Sequence, residues 1–134
     1  MTDQQQLPTR LFLAEQTRKL DQIAIQDFRI PGIRLMRRAG EATFKLLQQL
    51  WPQTQSISVW CGSGNNGGDG YIIAGLAVRS GMAVHLGPVG AAEKLHVDAR
   101  RAYDWVLQQV VCWCALRLAT TTPGDVSVAA VCCR

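Results

Sequence analysis

Cys61-Gly62-Ser63-Gly64-Asn65-Asn66-Gly67-Gly68-Asp69-Gly70 is the stretch that decides the fold, and five of its ten residues are glycine. Ser56-Ile57-Ser58-Val59-Trp60, β-branched and aromatic, leads into it and reads as a strand. Tyr71 to Arg79 follows with helical spacing of apolar residues. Strand, glycine loop and helix together gather backbone N–H groups around an anion. Glycine lets the main chain approach a ligand closely, and the helix adds its unpaired first amides and the positive end of its dipole. A phosphorylated or otherwise polar ligand is one expectation. A tight strand-to-helix turn accounts for the glycines equally well on the residues alone. The spacing is neither a Walker loop, since no Lys-Ser/Thr pair follows, nor Gly-x-Gly-x-x-Gly in the dinucleotide register.

Working outward, Gly81 suits a helix C-terminus and Ala83-Val84-His85-Leu86 reads as a second strand. Ser56 to Leu86 then forms a βαβ unit, which implies a parallel sheet with a right-handed crossover. The first strand shows little strict alternation and reads as covered on both faces. Upstream, a helix is expected from Leu11 to about Asp27, with a break at Pro31-Gly32. A second helix is expected from Ile33 to Leu50, with an apolar stripe of Met36, Ala39, Thr43, Leu46, Leu47 and Leu50. Gly40 in its middle predicts close packing against another element. Downstream, Glu93 to Gln109 is expected to be helical. Val110 to Cys114 and Val126 to Cys133 are candidate strands around a turn at Thr120–Gly124.

The chain has 134 residues, enough for one small domain or part of a larger one, and a net charge of +4. No basic run exceeds a dipeptide, so nucleic acid is not an expected partner; Arg34, Arg37 and Arg38 read first as a solvated helix face, with a phosphate or acidic-partner contact as the alternative. No stretch reaches the ~18–20 apolar residues of a membrane span, and Met1 to Thr9 lacks the apolar core of a secretory signal. The expected location is cytoplasmic. Cys112, Cys114, Cys132 and Cys133 lack the Cys-x-x-Cys spacing of zinc sites and read as free thiols. Cys61 reads as a buried strand residue, His85 as a structural histidine on an apolar strand, and His96 as exposed.

Asn65-Asn66-Gly67-Gly68-Asp69-Gly70, joined with Leu35-Met36 and Ala39-Gly40 upstream, closely resembles the signature of the NAD(P)H-hydrate epimerase family, the YjeF N-terminal domain. Ala14-Glu15-Gln16, Asp21, Ala24 and Pro31-Gly32 extend the resemblance, which runs from about Phe12 to Gln109. It implies a Rossmann-like three-layer αβα fold with a parallel sheet, here incomplete, with two N-terminal helices ahead of the βαβ unit. It implies an isomerase of nicotinamide nucleotide repair that interconverts the R and S hydrates of NADH and NADPH. Carried over by motif, Asn65, Asn66, Gly67, Gly68 and Asp69 would contact the hydrated dinucleotide, and Asn66 would ligate a potassium ion. From the residues alone, Asn65 and Asn66 also suit a turn, and Asp69 suits a helix N-cap. No residue is singled out as catalytic. Hydrated NADH or NADPH is the expected substrate, and a homodimer and a functional link to NAD(P)H-hydrate dehydratase are further partner expectations.

The family's later Gly-Thr-Gly loop and Asp-x-Pro-Ser-Gly motif do not occur here. The expected organisation is therefore a polar leader over 1–10, a partial YjeF N-terminal domain over 11–109 and a divergent tail over 110–134, its reading frame lost near Val110 by a frameshift or a gene-model error. On that expectation the alternative to an epimerase is a truncated, non-catalytic remnant or ligand-binding module.

Overall fold

The computed structural model describes residues 11–90, 92–112, 116–119 and 128–130. The polar leader and the Thr120–Gly124 turn lie outside these residues, as do Cys114, Cys132 and Cys133. The chain divides into two compact units, Met1–Gly32 and Ile33–Arg134.

In the first unit, helix α1 spans Ala14–Gln26. Leu13 precedes it in extended conformation, and its backbone N–H donates to Gln16 Oε1 at 2.8 Å. Gln16 at the third helical position thereby satisfies the donor just outside the helix, as in half of a capping box. The helix ends where Arg29 takes a left-handed backbone (φ 52) and Ile30 N–H closes onto the Ala24 carbonyl at 3.0 Å.

Helix α2, Gly32–Leu50, belongs to the second unit in all but its first residue, and it is followed by strand β1, Ser56–Cys61, helix α3, Asn65–Arg79, and strand β2, Ala83–Pro88. A short 3₁₀ turn, Ala92–Lys94, leads to helix α4, Val97–Cys112, followed by β3, Leu116–Ala119, and β4, Val128–Ala130. The four strands form one sheet in the order β1-β2-β3-β4. β1 pairs parallel with β2 in the register Ser56↔Ala83 to Cys61↔Pro88, and β2 pairs parallel with β3. β4 returns antiparallel to β3. The βαβ unit expected from sequence is thus present, and β2-α4-β3 repeats it. Crossovers of one hand that step through the sheet in one direction place their helices on the same face, and α3 and α4 pack side by side.

Several expectations from sequence are corrected. Val110 to Cys112 do not open a third strand; they finish α4, and the strand is Leu116–Ala119. Glu93 and Lys94 belong to the 3₁₀ turn rather than to α4. The buried stripe of α2 is Met36, Gly40 and Phe44, whereas Ala39, Thr43, Leu46 and Leu50 are exposed. The reason is Gly40: a Cβ there would lie 2.5 Å from Ile72 Cγ2, so the helix turns its least bulky residue, not its leucines, toward α3. β1 is not covered on both faces. Ile57 and Val59 are half-buried while Ser56, Ser58 and Trp60 are exposed, and β2 follows suit with Val84 and Leu86 buried and His85 exposed. The period of two separates the faces, so His85 is a surface residue rather than a structural one.

Helix α3 is buried nearly all round, with Tyr71, Ile72, Ala74, Gly75, Ala77 and Val78 all enclosed. A helix so enclosed is surrounded by other elements on every side. The sheet lies against one side of it and α4 against another. There Trp105 covers Gly75, where a Cβ would lie 2.2 Å from the ring. Tyr71 meets Tyr103 edge to face, with centroids 5.2 Å apart at 73°. Arg37 of α2 stands over the Trp105 ring at 5.2 Å, which makes this arginine more than a solvated charge.

Candidate functional site

The glycine-rich stretch divides differently from the expectation. Only Gly62, Ser63 and Gly64 form the loop; helix α3 starts at Asn65, so the whole Asn-Asn-Gly-Gly-Asp-Gly run is its opening turn and a half. Asparagine and glycine are poor helix formers, glycine by about 1 kcal/mol against alanine. Packing overrides that preference. A Cβ at Gly67 would sit 1.9 Å from the Gly62 carbonyl oxygen, one at Gly68 2.4 Å from the Met36 methyl, and one at Gly70 2.7 Å from Cys61 Sγ. The glycines serve the approach of the helix to its own loop, to α2 and to β1.

Gly64 is the N-cap, in extended conformation, and makes no side-chain capping bond. The sequence-based placement of Asp69 as N-cap is therefore corrected: Asp69 lies five residues inside α3 and is half-buried. The first amides of a helix lack intrahelical acceptors, and here the N-cap residue, a glycine, offers no side-chain acceptor. Asn65 and Asn66 are exposed at this end. Helical spacing puts Asp69 next to both, at i+4 from Asn65 and i+3 from Asn66. The structure thus gathers Asn65, Asn66 and Asp69 at one end of α3, with Gly67 and Gly68 buried beneath them. This end lies at the carboxyl ends of β1 and β2, where open parallel sheets bind ligands.

Two hydrogen bonds from the connection between β2 and α4 fasten the loop. Val89 N–H donates to the Cys61 carbonyl at 2.7 Å, and His96 N–H donates to the Ser63 carbonyl at 3.3 Å. His96 and Val89 escaped the sequence reading because both act through main-chain atoms, which carry no residue-type signal. The imidazole of His96 is exposed, as expected.

Cys61 is 1% exposed, and burial pushes its thiol from 9.0 up to about 12. It is a core residue and no nucleophile at neutral pH, since the thiolate is the reactive form. Burial, reinforced by Cys61 and then Tyr103, likewise pushes the Tyr71 phenol from 10.0 up to about 12. Both folded values exceed the unfolded ones, so the unfolded chain releases these protons first. Their contribution to stability is complete below about pH 9 and is lost as pH rises toward 12. Iodoacetamide at pH 8, followed by peptide mapping, is expected to label Cys61 about a hundredfold more slowly in the folded chain than in urea. Equal rates would show the strand end to be open.

Among the described residues, no group of three or more His, Cys, Asp or Glu side chains could hold a metal ion, and no helix is long and apolar enough to cross a membrane.

A sheet of three parallel strands built from two successive βαβ units, with one antiparallel strand at its edge, defines the Rossmann-like class. The chain belongs to the family described as YjeF-related protein N-terminus, whose model matches residues 32–123. The match continues beyond Gln109, where the recognisable motifs stop. The chain is 43% identical over 94 residues to the bifunctional NAD(P)H-hydrate repair enzyme Nnr of Coxiella burnetii, covering 70% of this chain and 19% of that protein. It is 37% identical over 103 residues to the NAD(P)H-hydrate epimerase of Rhodobacter capsulatus, covering 72% of this chain and 49% of that one. The matched region is therefore half, or less, of these relatives' lengths. The fold is shared with the crystal structure of the yeast protein ynu0, with a TM-score of 0.70 at 17% identity over 87% of this chain and 49% of the yeast one.

Proposed function

We propose that the start of α3 binds hydrated NADH or NADPH and that the chain serves NAD(P)H-hydrate epimerase chemistry, the interconversion of the R and S hydrates. One observation carries the proposal. The Asn65-to-Gly70 motif forms a helix start with a glycine N-cap at the carboxyl ends of two parallel strands, where amides and dipole favour an anionic ligand. The names of the relatives described above support it over a ligand-binding remnant. In this proposal Asn65, Asn66 and the first α3 amides, up to that of Gly67, meet the dinucleotide, with Gly68 beneath them bonded to the Gly64 carbonyl. Asp69, whose carboxylate would repel a phosphate, serves the ribose hydroxyls or the ion. The bifunctional name of the Coxiella burnetii relative supports a functional link to a dehydratase that takes up the S hydrate.

The donor set at this end fits part of a potassium shell. Asn66 offers an exposed amide oxygen, and Asp69 a neighbouring negative charge that offsets the positive helix end. Asn66 would hold the ion, which would supply charge neutralisation beside the pyrophosphate.

Purified chain mixed with the R hydrate of NADPH is expected to produce the S hydrate above the spontaneous rate. Asn66→Ala is expected to lower kcat/KM about tenfold or more, the loss of one hydrogen bond or ligand to a charged group. Replacing potassium by tetramethylammonium should lower the wild-type rate and leave the variant unchanged. Turnover no faster than the buffer blank, with no dinucleotide binding, would overturn the proposal.

A further inference from the structure

We infer that the connection between β2 and α4 is the second wall of this ligand site, and that His96 is its positioning residue, acting through its main-chain N–H on the Ser63 carbonyl. The inference rests on the ligand site proposed above, but the contacts behind it are independent of any ligand. The three-residue loop Gly62–Gly64 sets the direction of the first α3 amides. It is held from three sides. Val89 N–H binds the Cys61 carbonyl at 2.7 Å, extending the β1–β2 ladder by one rung. Gly67 abuts Gly62 so closely that no Cβ fits between them. His96 N–H binds the Ser63 carbonyl at 3.3 Å, and it is the only one of the three contacts that reaches the middle of the loop.

His96 also opens α4: its carbonyl accepts the Arg100 N–H at 2.7 Å. The α4 start is itself locked to α3, since a Cβ at Gly68 would lie 3.1 Å from the Ala99 Cα. One residue therefore joins the first turn of α4 to the loop that aims the first turn of α3. Without the His96 bond, the Ser63 carbonyl is free to rotate, and with it the peptide plane carrying the Gly64 N–H. The residue type at 96 is immaterial to this role; only the N–H is needed.

The test separates the N–H from the side chain. His96→Pro removes the donor while keeping a backbone that a helix N-cap tolerates, and His96→Ala keeps the donor and removes the imidazole. Amide hydrogen exchange of the full chain without ligand is read at Gly68, whose N–H binds the Gly64 carbonyl at 3.2 Å, and at Arg100. His96→Pro is expected to speed exchange at Gly68 about fivefold, the loss of one ordinary hydrogen bond, with His96→Ala like wild type. Proline damage confined to α4 would appear at Arg100 alone, and that result, or unchanged exchange at Gly68, would overturn the inference. Titration with NADPH hydrate supplies the second readout: His96→Pro raises Kd about fivefold and His96→Ala much less. Absence of binding by the wild type would defeat the proposed function, while the exchange result would still decide the coupling.

Discussion

Gly67→Ala is expected to destabilise the second unit by about 3 kcal/mol, at the upper end of the cost of overpacking, and to abolish hydrated-dinucleotide binding. The sign is what makes the experiment decisive. Gly67 is a helical residue, and helix propensity alone would make alanine more favourable by about 1 kcal/mol. Opposing this, the new Cβ would stand 1.9 Å from the Gly62 carbonyl oxygen, 2.7 Å from its carbonyl carbon and 2.9 Å from its nitrogen. All three are main-chain atoms with no rotamer to change. Relief requires moving the loop away from α3, and the loop is held by Val89 and His96. Gly62→Ala is the matched control, because a Cβ there meets nothing within 4 Å. Urea unfolding followed by circular dichroism measures both. Gly67→Ala as stable as wild type, or more stable, would mean that the helix start does not pack on its loop as described.

Tyr71→Ala is expected to cost about 4 kcal/mol, the range for removing a buried aromatic ring. Tyr71 is 1% exposed and lies one residue beyond the motif, with its ring edge-to-face on Tyr103 of α4. Tyr103→Ala should cost less, because that side chain is only half-buried. The double variant should fall short of the sum by about 1 kcal/mol, the coupling of an aromatic pair. Thermal or urea denaturation of the four proteins gives the cycle. Additivity within error would mean that the ring pair contributes area but no specific contact. Tyr71→Phe retains the ring pair and should cost far less than Tyr71→Ala.

The two variants report on different things. Gly67 governs how the helix start meets its loop, and Tyr71 governs how α3 meets α4. The glycine change should remove ligand binding even in conditions where the chain remains folded. The tyrosine change should lower stability first and lose binding only with the fold.

Much of this was open to reading in the chain itself. The βαβ unit followed from a β-branched run, a glycine cluster and a helical period in succession, since each is a local property of neighbouring residues. The family resemblance followed from two motifs, Asn65–Gly70 and Leu35–Gly40, which the structure brings together: Gly40 packs on Ile72, and Met36 on Gly68. Local signals misjudged the boundaries. Asn65 to Gly70 read as a loop because its residues are weak helix formers, and Asp69 read as a cap because aspartate commonly is one. The leucines of α2 read as its buried stripe because hydrophobicity, not bulk, was the available signal.

Residue type and spacing therefore determined that a strand, a glycine-rich junction and a helix stand in that order, and that Asn65, Asn66, Gly67, Gly68 and Asp69 stand together. Only the tertiary structure decided that the helix begins at Asn65, that Gly64 rather than Asp69 precedes it, and that His96 fastens Ser63. Those outcomes depend on atoms far apart in sequence: the Gly62 carbonyl beneath Gly67, the Met36 methyl over Gly68, and a main-chain N–H more than thirty positions downstream. Close packing favours a helix where propensity disfavours one, and no local pattern encodes which neighbour will press against a glycine.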